Sequence, residues 1–262
     1  MSNVADGLRL AWGTLTALPG PPPGRVDQSV ARVAMSLGWL VVLPVMVAAA
    51  AAGWGLTLVG VPALASGFIT VALVQLATRA IHADGLADTA DGLGSGRPRD
   101  QALDIMRRGD VGPMGVTALV LVFGLQAVLL GDLLARPWGW LFAALALAAG
   151  RLALASACSA QVPSARPEGL GAAVAGSVPT WLVTTLHLGM AIVGMMLADL
   201  LGTLLGADVP RHAWVWAFVI GMVLSTATLG LAIRKLGGIT GDVLGAVVEV
   251  MTLGLLLGLA IR

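Results

Sequence analysis

The sequence predicts an all-α bundle that crosses a membrane several times, and three observations support it. The 262 residues are 58% hydrophobic and 11% charged, with a mean hydropathy of +0.92, far from the averages of water-soluble domains. Apolar stretches near the ~20 residues that cross a bilayer recur along the whole chain. Basic residues gather in alternate connections between them, as they do in helical proteins that span a membrane. The expectation is a polytopic integral membrane helical bundle of about seven transmembrane helices, with short cytoplasmic helices in its first large loop. Residues 1–262 form one membrane domain with no separate soluble part.

Residues 1–28 read as an interfacial segment. Leu8 to Leu18 make an amphipathic helix ahead of a proline hinge at Pro19 and Pro21 to Pro23, and Arg9 breaks the apolar run that a cleaved signal would need. Crossing segments follow at 33–60, 62–81, 113–134, 138–157, 178–201, 213–233 and 244–261. The first is long and carries Pro44, so it is either one kinked helix or a span with a re-entrant piece. Ala and Gly runs such as Val47 to Gly53 suit close helix packing. The single Cys158 ends an apolar run, so it is expected to pack and has no intrachain disulfide partner.

With the N-terminus in the cytoplasm, eleven basic residues fall on that side: Arg9, Arg25, Arg32, Arg79, Arg97, Arg99, Arg107, Arg108, Arg166, Arg234 and Lys235. Only Arg136, Arg211 and Arg262 fall opposite, and Arg151 lies within a span. The positive-inside rule therefore fixes this orientation. Trp54, Trp138, Trp140, Trp214 and Trp216 then sit at outer ends, where amphipathic rings anchor at headgroups.

The same orientation gathers three Gly-rich polar segments on the cytoplasmic face, at 82–115, 165–171 and 234–245. Within 82–112, the Asp-rich segment, Asp84, Asp88 and Asp91 fall in an arc of roughly 60° at about 100° per helical residue. Such a face attracts a hard cation of the Mg²⁺ type. Pro98 turns the chain, and Asp100 is placed to cap a short helix containing Asp104 and Arg108 at i, i+4 spacing. The clustered glycines before the last span, around Thr240 and Asp242, offer backbone amides to phosphate oxygens. Glu249 and Arg151 lie within spans, where an ionised group demands a partner. His82 falls opposite the acidic face, which suits a substrate hydrogen bond or a structural role better than metal ligation, while His187 and His212 stand apart.

Several chemistries are excluded by what is missing. One cysteine and three scattered histidines cannot build a structural zinc site. No Walker motif, dinucleotide-type Gly-rich turn or Gly-x-Ser-x-Gly elbow is present. The residues alone therefore describe a membrane enzyme or transporter with an acidic cation site flanked by arginines suited to phosphate.

The motifs carry a resemblance that goes further. His82-Ala-Asp-Gly-Leu-Ala-Asp-Thr-Ala-Asp-Gly92, then Ile105-Met106-Arg107 with Gly112 and Gly115, then Gly169-Leu170-Gly171, and finally Gly237-Gly238 with Thr240-Gly241-Asp242-Val243-Leu244-Gly245-Ala246 and Glu249, resemble the cobalamin synthase family, the adenosylcobinamide-GDP ribazoletransferases. The resemblance covers nearly the whole chain. It implies a multi-pass enzyme of the bacterial inner membrane with cytoplasmic active-site loops. The implied substrates are adenosylcobinamide-GDP and α-ribazole or its 5′-phosphate, joined with release of GMP in a Mg²⁺-dependent reaction. On that footing Asp84, Asp88 and Asp91 hold Mg²⁺, and one of them or Asp104 acts as base. His82, Arg107, Arg151, Arg166, Thr240, Asp242 and Glu249 bind substrate. Membrane lipid is the surrounding partner, an oligomer is allowed, and nothing points to nucleic acid.

Three positions depart from the family pattern. Arg107-Arg108-Gly109-Asp110 stands where many members have Arg-Asp-Ser-Arg, Thr252 stands where many have an acid, and Ala17 replaces an arginine before Leu18-Pro19. Other classes fit less well. Lipid-alcohol phosphotransferases place Ala-Arg where this chain has Ala87-Asp88, ion-coupled transporters keep their carboxylates at the midplane of repeated halves, and a Gly-Asp intramembrane protease needs a second aspartate in a facing span.

Overall fold

The structure is a computed structural model, and it describes residues 2–205 and 211–261. Among these residues the regular elements are all helical: α1 (Asn3–Leu15), α2 (Gln28–Leu58), α3 (Ala63–Ala77), α4 (Ile81–Gly94), α5 (Arg99–Ile105), α6 (Pro113–Leu134), α7 (Gly139–Ala149), α8 (Leu152–Ala157), α9 (Leu170–Val174), α10 (Thr180–Leu205), α11 (Arg211–Leu236) and α12 (Gly241–Leu259). Arg262, expected on the outer side, lies outside the described residues.

Six helical runs are long and apolar enough to cross a membrane: α2, α6, the α7–α8 run, α10, α11 and α12. The seventh expected crossing, 62–81, takes a different form. Helix α3 stops at Ala77, and the chain bends by 95° into α4. Arg79 and Ala80 make this corner in the left-handed region, at φ 56° and 52°, which a residue with a Cβ adopts only under local constraint. The Arg79 guanidinium holds the corner against α1 by donating to the Gly13 carbonyl at 2.6 Å. A seventh span exists only if α3 and α4 count as one bent span. We read α4 as a helix at the polar face, outside the six long ones.

The α7–α8 run and α12 form the centre and are almost wholly enclosed, whereas α6 and α10 turn Val120, Leu121, Ile192 and Met196 outward. Small residues let the central helices approach closely. A Cβ on Gly254 would meet the Gly221 Cα at 2.5 Å, and one on Gly258 would overlap the Ala217 backbone, the kind of contact that lets helices associate in lipid.

Of the two forms allowed for the first span, the single helix is present, because α2 runs unbroken for 31 residues through Pro44. Three local expectations change. Helix α1 starts earlier than expected, at Asn3 with Ser2 as cap, and packs Gly7 onto Val33 of α2. Trp214 is no headgroup anchor. Its ring is fully buried beside Phe142 and Phe218, and its Nε1–H donates to the Met190 carbonyl at 3.3 Å. Asp100 does not cap α5: Pro98 holds that position with no side-chain bond, Asp100 pairs with Arg99 instead, and the helix ends at Ile105, before Arg108.

Candidate active site

The site is made where α4 crosses the first turns of α12. A Cβ on Gly85 would lie 2.5 Å from the Asp242 carbonyl oxygen, and one on Gly245 would lie 3.0 Å from the His82 Cα. A side chain would force a shift at Gly85 and crowd the backbone at Gly245. The crossing therefore sets Asp242 beside the acidic side of α4, although the two segments are far apart in sequence.

The other polar segments close on the same place. Ile239 donates its N–H to the Pro163 carbonyl and accepts from the Ala165 N–H, each at 2.9 Å. This ties the 163–166 loop to the start of α12. Arg99 clamps both strands of the junction, donating to the Leu236 carbonyl at 2.8 Å and the Ala165 carbonyl at 2.6 Å. Thr240 caps α12: its hydroxyl accepts from the Val243 N–H at 3.2 Å and donates to Asp242 Oδ2 at 3.1 Å. Since Thr240 is buried, its visible work is this cap.

Arg166 points into the junction. Its Nη2 donates to the Leu103 carbonyl at 2.8 Å, its Nη1 lies 3.9 Å from Asp242 Oδ2, and its Nε makes no hydrogen bond. Burial holds the guanidinium below its ordinary pKa, while Asp242, Asp104 and Asp88 pull the other way. Asp104 and Arg107 are exposed at the rim.

The three aspartates of α4 do not act alike. Asp84 is exposed and lines an open cleft of about 520 Å³ with Arg79, Ala83, Ala87 and Val111. Asp88 is half-buried, and desolvation first, then the charges of Asp84, Asp242 and Asp91, push its carboxyl up to about 6. Asp91, expected beside them as a metal ligand, is 7% exposed and turned to α6. There it accepts the Gly112 N–H at 2.6 Å and the Gly115 N–H at 2.9 Å. Gly112 is the N-cap of α6 and has no side chain to satisfy these donors, so the carboxylate from α4 does it. The two glycines leave the room: a Cβ on Gly112 would lie 2.5 Å from Asp91 Oδ1. An arc of 60° is wide enough to face two neighbours, and the wheel could not say so.

His82, Arg151 and Glu249 come together, but not at the cleft. They are 4%, 1% and 2% exposed. Arg151 sits at the break between α7 and α8, donating Nη1 to the Leu147 carbonyl at 2.6 Å and bringing Nη2 to 3.5 Å from His82 Nδ1. Glu249 Oε2 accepts from Gln126 Nε2 at 3.0 Å, and its Oε1 lies 3.9 Å from His82 Nδ1. The sequence reading missed Gln126 of α6, though a glutamine in an apolar span was the available signal. His187 is occupied by the Val183 carbonyl at 2.8 Å, and Cys158 is buried and free.

Among the described residues no three His, Cys, Asp or Glu side chains stand close enough to hold a metal ion by themselves. The donor set still suits Mg²⁺, which keeps to hard oxygens and often takes one or two carboxylates together with substrate phosphates. Asp84, Asp88 and Asp242 offer such oxygens, Asp242 with Oδ2 already bonded to the Thr240 hydroxyl, and burial first and then their mutual repulsion raise the pKa of Asp88.

Residues 7–260 match the family described as cobalamin-5-phosphate synthase. The chain belongs to that family. An adenosylcobinamide-GDP ribazoletransferase of a Nocardioides species is 40% identical over 99% of this chain and 100% of its own length. Those of Frankia casuarinae and Bradyrhizobium diazoefficiens are 35% and 39% identical, over 96% and 93% of this chain and 93% and 89% of their own lengths. No solved structure matches. Membership in the cobalamin-5-phosphate synthase family spans both segments that build the α4–α12 crossing.

Proposed function

We propose that this membrane transferase joins adenosylcobinamide-GDP to α-ribazole or its 5′-phosphate, the last assembly step of cobalamin biosynthesis. The names of its relatives support the substrates. The observation that carries the reading is the convergence of Asp84, Asp88 and Asp242, with Arg166, beside an open cleft.

In the reaction a ribazole hydroxyl oxygen bonds to the phosphorus that stays with the corrinoid side chain. The bond from that phosphorus to the bridging oxygen breaks, and GMP leaves with the bridging oxygen. Asp84, Asp88 and Asp242 would hold Mg²⁺ against the diphosphate. Bound there, the ion supplies charge neutralisation for the two phosphates and for the leaving GMP. Arg166 and Arg107 add guanidinium donors for phosphate oxygens. Asp104 is assigned as the base toward the hydroxyl, because it is exposed beside Arg166 and neither caps a helix nor lies in the crossing. The excess of basic residues on one side supports an inner-membrane protein with this site in the cytoplasm.

The test is conversion of adenosylcobinamide-GDP and α-ribazole by the purified protein in lipid, with and without Mg²⁺. Metal-dependent product with equimolar GMP is expected. No product from folded protein would overturn the reading and favour phosphotransfer to a lipid alcohol from a CDP-activated donor.

A further inference from the structure

The geometry points to His82, Arg151, Glu249 and Gln126 as positioning residues: a sealed polar network that sets the crossing of α4 on α12 and thereby the spacing of Asp84 and Asp88 from Asp242. This rests on the proposed reading only for what the aspartates then do. Each member comes from a different helical run bordering the crossing: α4, the break between α7 and α8, α12 and α6.

Donor chemistry orders the network. A guanidinium can only donate, so the approach of Arg151 Nη2 to His82 Nδ1 at 3.5 Å makes that nitrogen the acceptor and leaves the ring proton on Nε2. Glu249 Oε1, 3.9 Å from the same Nδ1, then balances the charge of Arg151 without accepting a proton from the ring. Gln126 Nε2 holds Glu249 from the far side, donating to Oε2 at 3.0 Å and to the Glu249 carbonyl at 3.2 Å. Arg151 is itself anchored by the Leu147 carbonyl. His82 thus fixes the start of α4, two residues before Asp84, against the α7–α8 break and α12, and Gln126 ties α6 in through Glu249.

The backbone contact explains why such a fix is needed. Gly245 touches His82, and Gly85, on the next turn of α4, touches Asp242. Glycine contacts allow close approach but leave the helices free to slide or rotate, since no side chain interlocks. Directional polar contacts deep in the bundle supply the register that the glycines lack, a role buried polar groups are known to take. All four residues are at most 4% exposed, which suits holding helices better than meeting substrate.

The variants to make are Glu249→Gln, Gln126→Leu and the paired Arg151→Met with Glu249→Met, which removes both buried charges together and keeps the interior neutral. Steady-state kinetics should show kcat reduced by about a hundredfold, the scale of a misplacement of about 1 Å. KM for both substrates should stay within about twofold, and Gln126→Asn, which keeps the amide donor, should retain more kcat than Gln126→Leu. A raised KM at unchanged kcat would make these residues substrate contacts and overturn the proposal. So would full kcat in the paired variant, which would reduce the network to stability alone. A second readout does not need turnover. Spin labels at Ala90→Cys on α4 and Lys235→Cys at the end of α11, with the buried Cys158 unlabelled, should give a narrow distance distribution that broadens in each variant. An unchanged distribution would overturn the positioning role even if the wild-type protein fails to make cobalamin. That last failure would instead overturn the proposed reaction.

Discussion

Two polar clusters share helices α4 and α12, and they have opposite fates. Near the cleft Asp84, Asp88 and Asp242 feel one another's charge with Arg166 as partial counter-charge, and burial and then repulsion hold Asp88 near a pKa of 6. A few residues away His82, Glu249, Arg151 and Gln126 are sealed and mutually bonded. At the cleft the carboxylates outnumber the one guanidinium, whereas in the interior one carboxylate stands with one guanidinium, although Glu249 Oε1 and Arg151 Nε make no hydrogen bond. Uncompensated negative charge next to solvent is a request for a cation. Compensated charge in the interior is a device for holding helices in place.

The comparison breaks most sharply on activity. Replacing Asp84 by Asn should lower product formation by about 10²–10³-fold or more, the scale of losing one charge-stabilising group in an active site, while the protein remains folded. Normal turnover in that variant would mean that the open cluster is not the reaction centre. Stability should respond the other way round. Changing Arg151 alone to Met strands Glu249 in the interior and should cost about 3–5 kcal/mol, read as a lowered Tm in detergent. Changing Asp88 to Asn in metal-free protein should raise Tm, because it removes a repelled charge that screening by solvent limits to about 1 kcal/mol. If both changes destabilise equally, the contrast drawn here fails.

The contact that joins the clusters can be tested between these extremes. Gly85→Ala forces a methyl group against the Asp242 carbonyl, so it should cost about 1–3 kcal/mol through overpacking and lower kcat. The smallest effect lies away from both clusters. Asp27 caps α2, accepting the Ser29 and Val30 N–H groups at 2.9 and 3.0 Å, and the Ser29 hydroxyl bond is the leading reason its pKa is lowered from 3.8. A lowered folded pKa gives stability that is present above 3.8 and lost as pH falls through the folded value. Asp27→Ala should therefore lower Tm slightly at neutral pH through the lost cap, and the difference from wild type should vanish in acid.

Much of the fold was legible because a bilayer admits so few solutions. Satisfying every backbone group internally makes long apolar runs helical, so six of the expected crossings appear close to where hydropathy puts them. The corner at Arg79 and Ala80 was not legible, since neither residue favours positive φ, and it is held by the Ala80 N–H on the Gln75 carbonyl at 2.8 Å and by Arg79 on α1. Trp214 misled for a related reason: aromatic rings at span ends serve either headgroups or a core, and neighbours choose. The site was half legible. The motifs contain Asp84, Asp88, Asp91, Asp242 and Glu249, but not which of them share a surface.

The sequence by itself determined that this is a helical membrane protein of the cobalamin-5-phosphate synthase family, with its chemistry in acidic, Gly-rich segments. Those properties are written in composition, period and motif, which are local. Tertiary structure alone decided that Asp91 caps α6, that Asp242 joins Asp84 and Asp88, and that His82, Arg151 and Glu249 turn inward. Each outcome depends on which helix stands opposite. A helical wheel gives the direction of a side chain around its own axis and nothing about what it meets there.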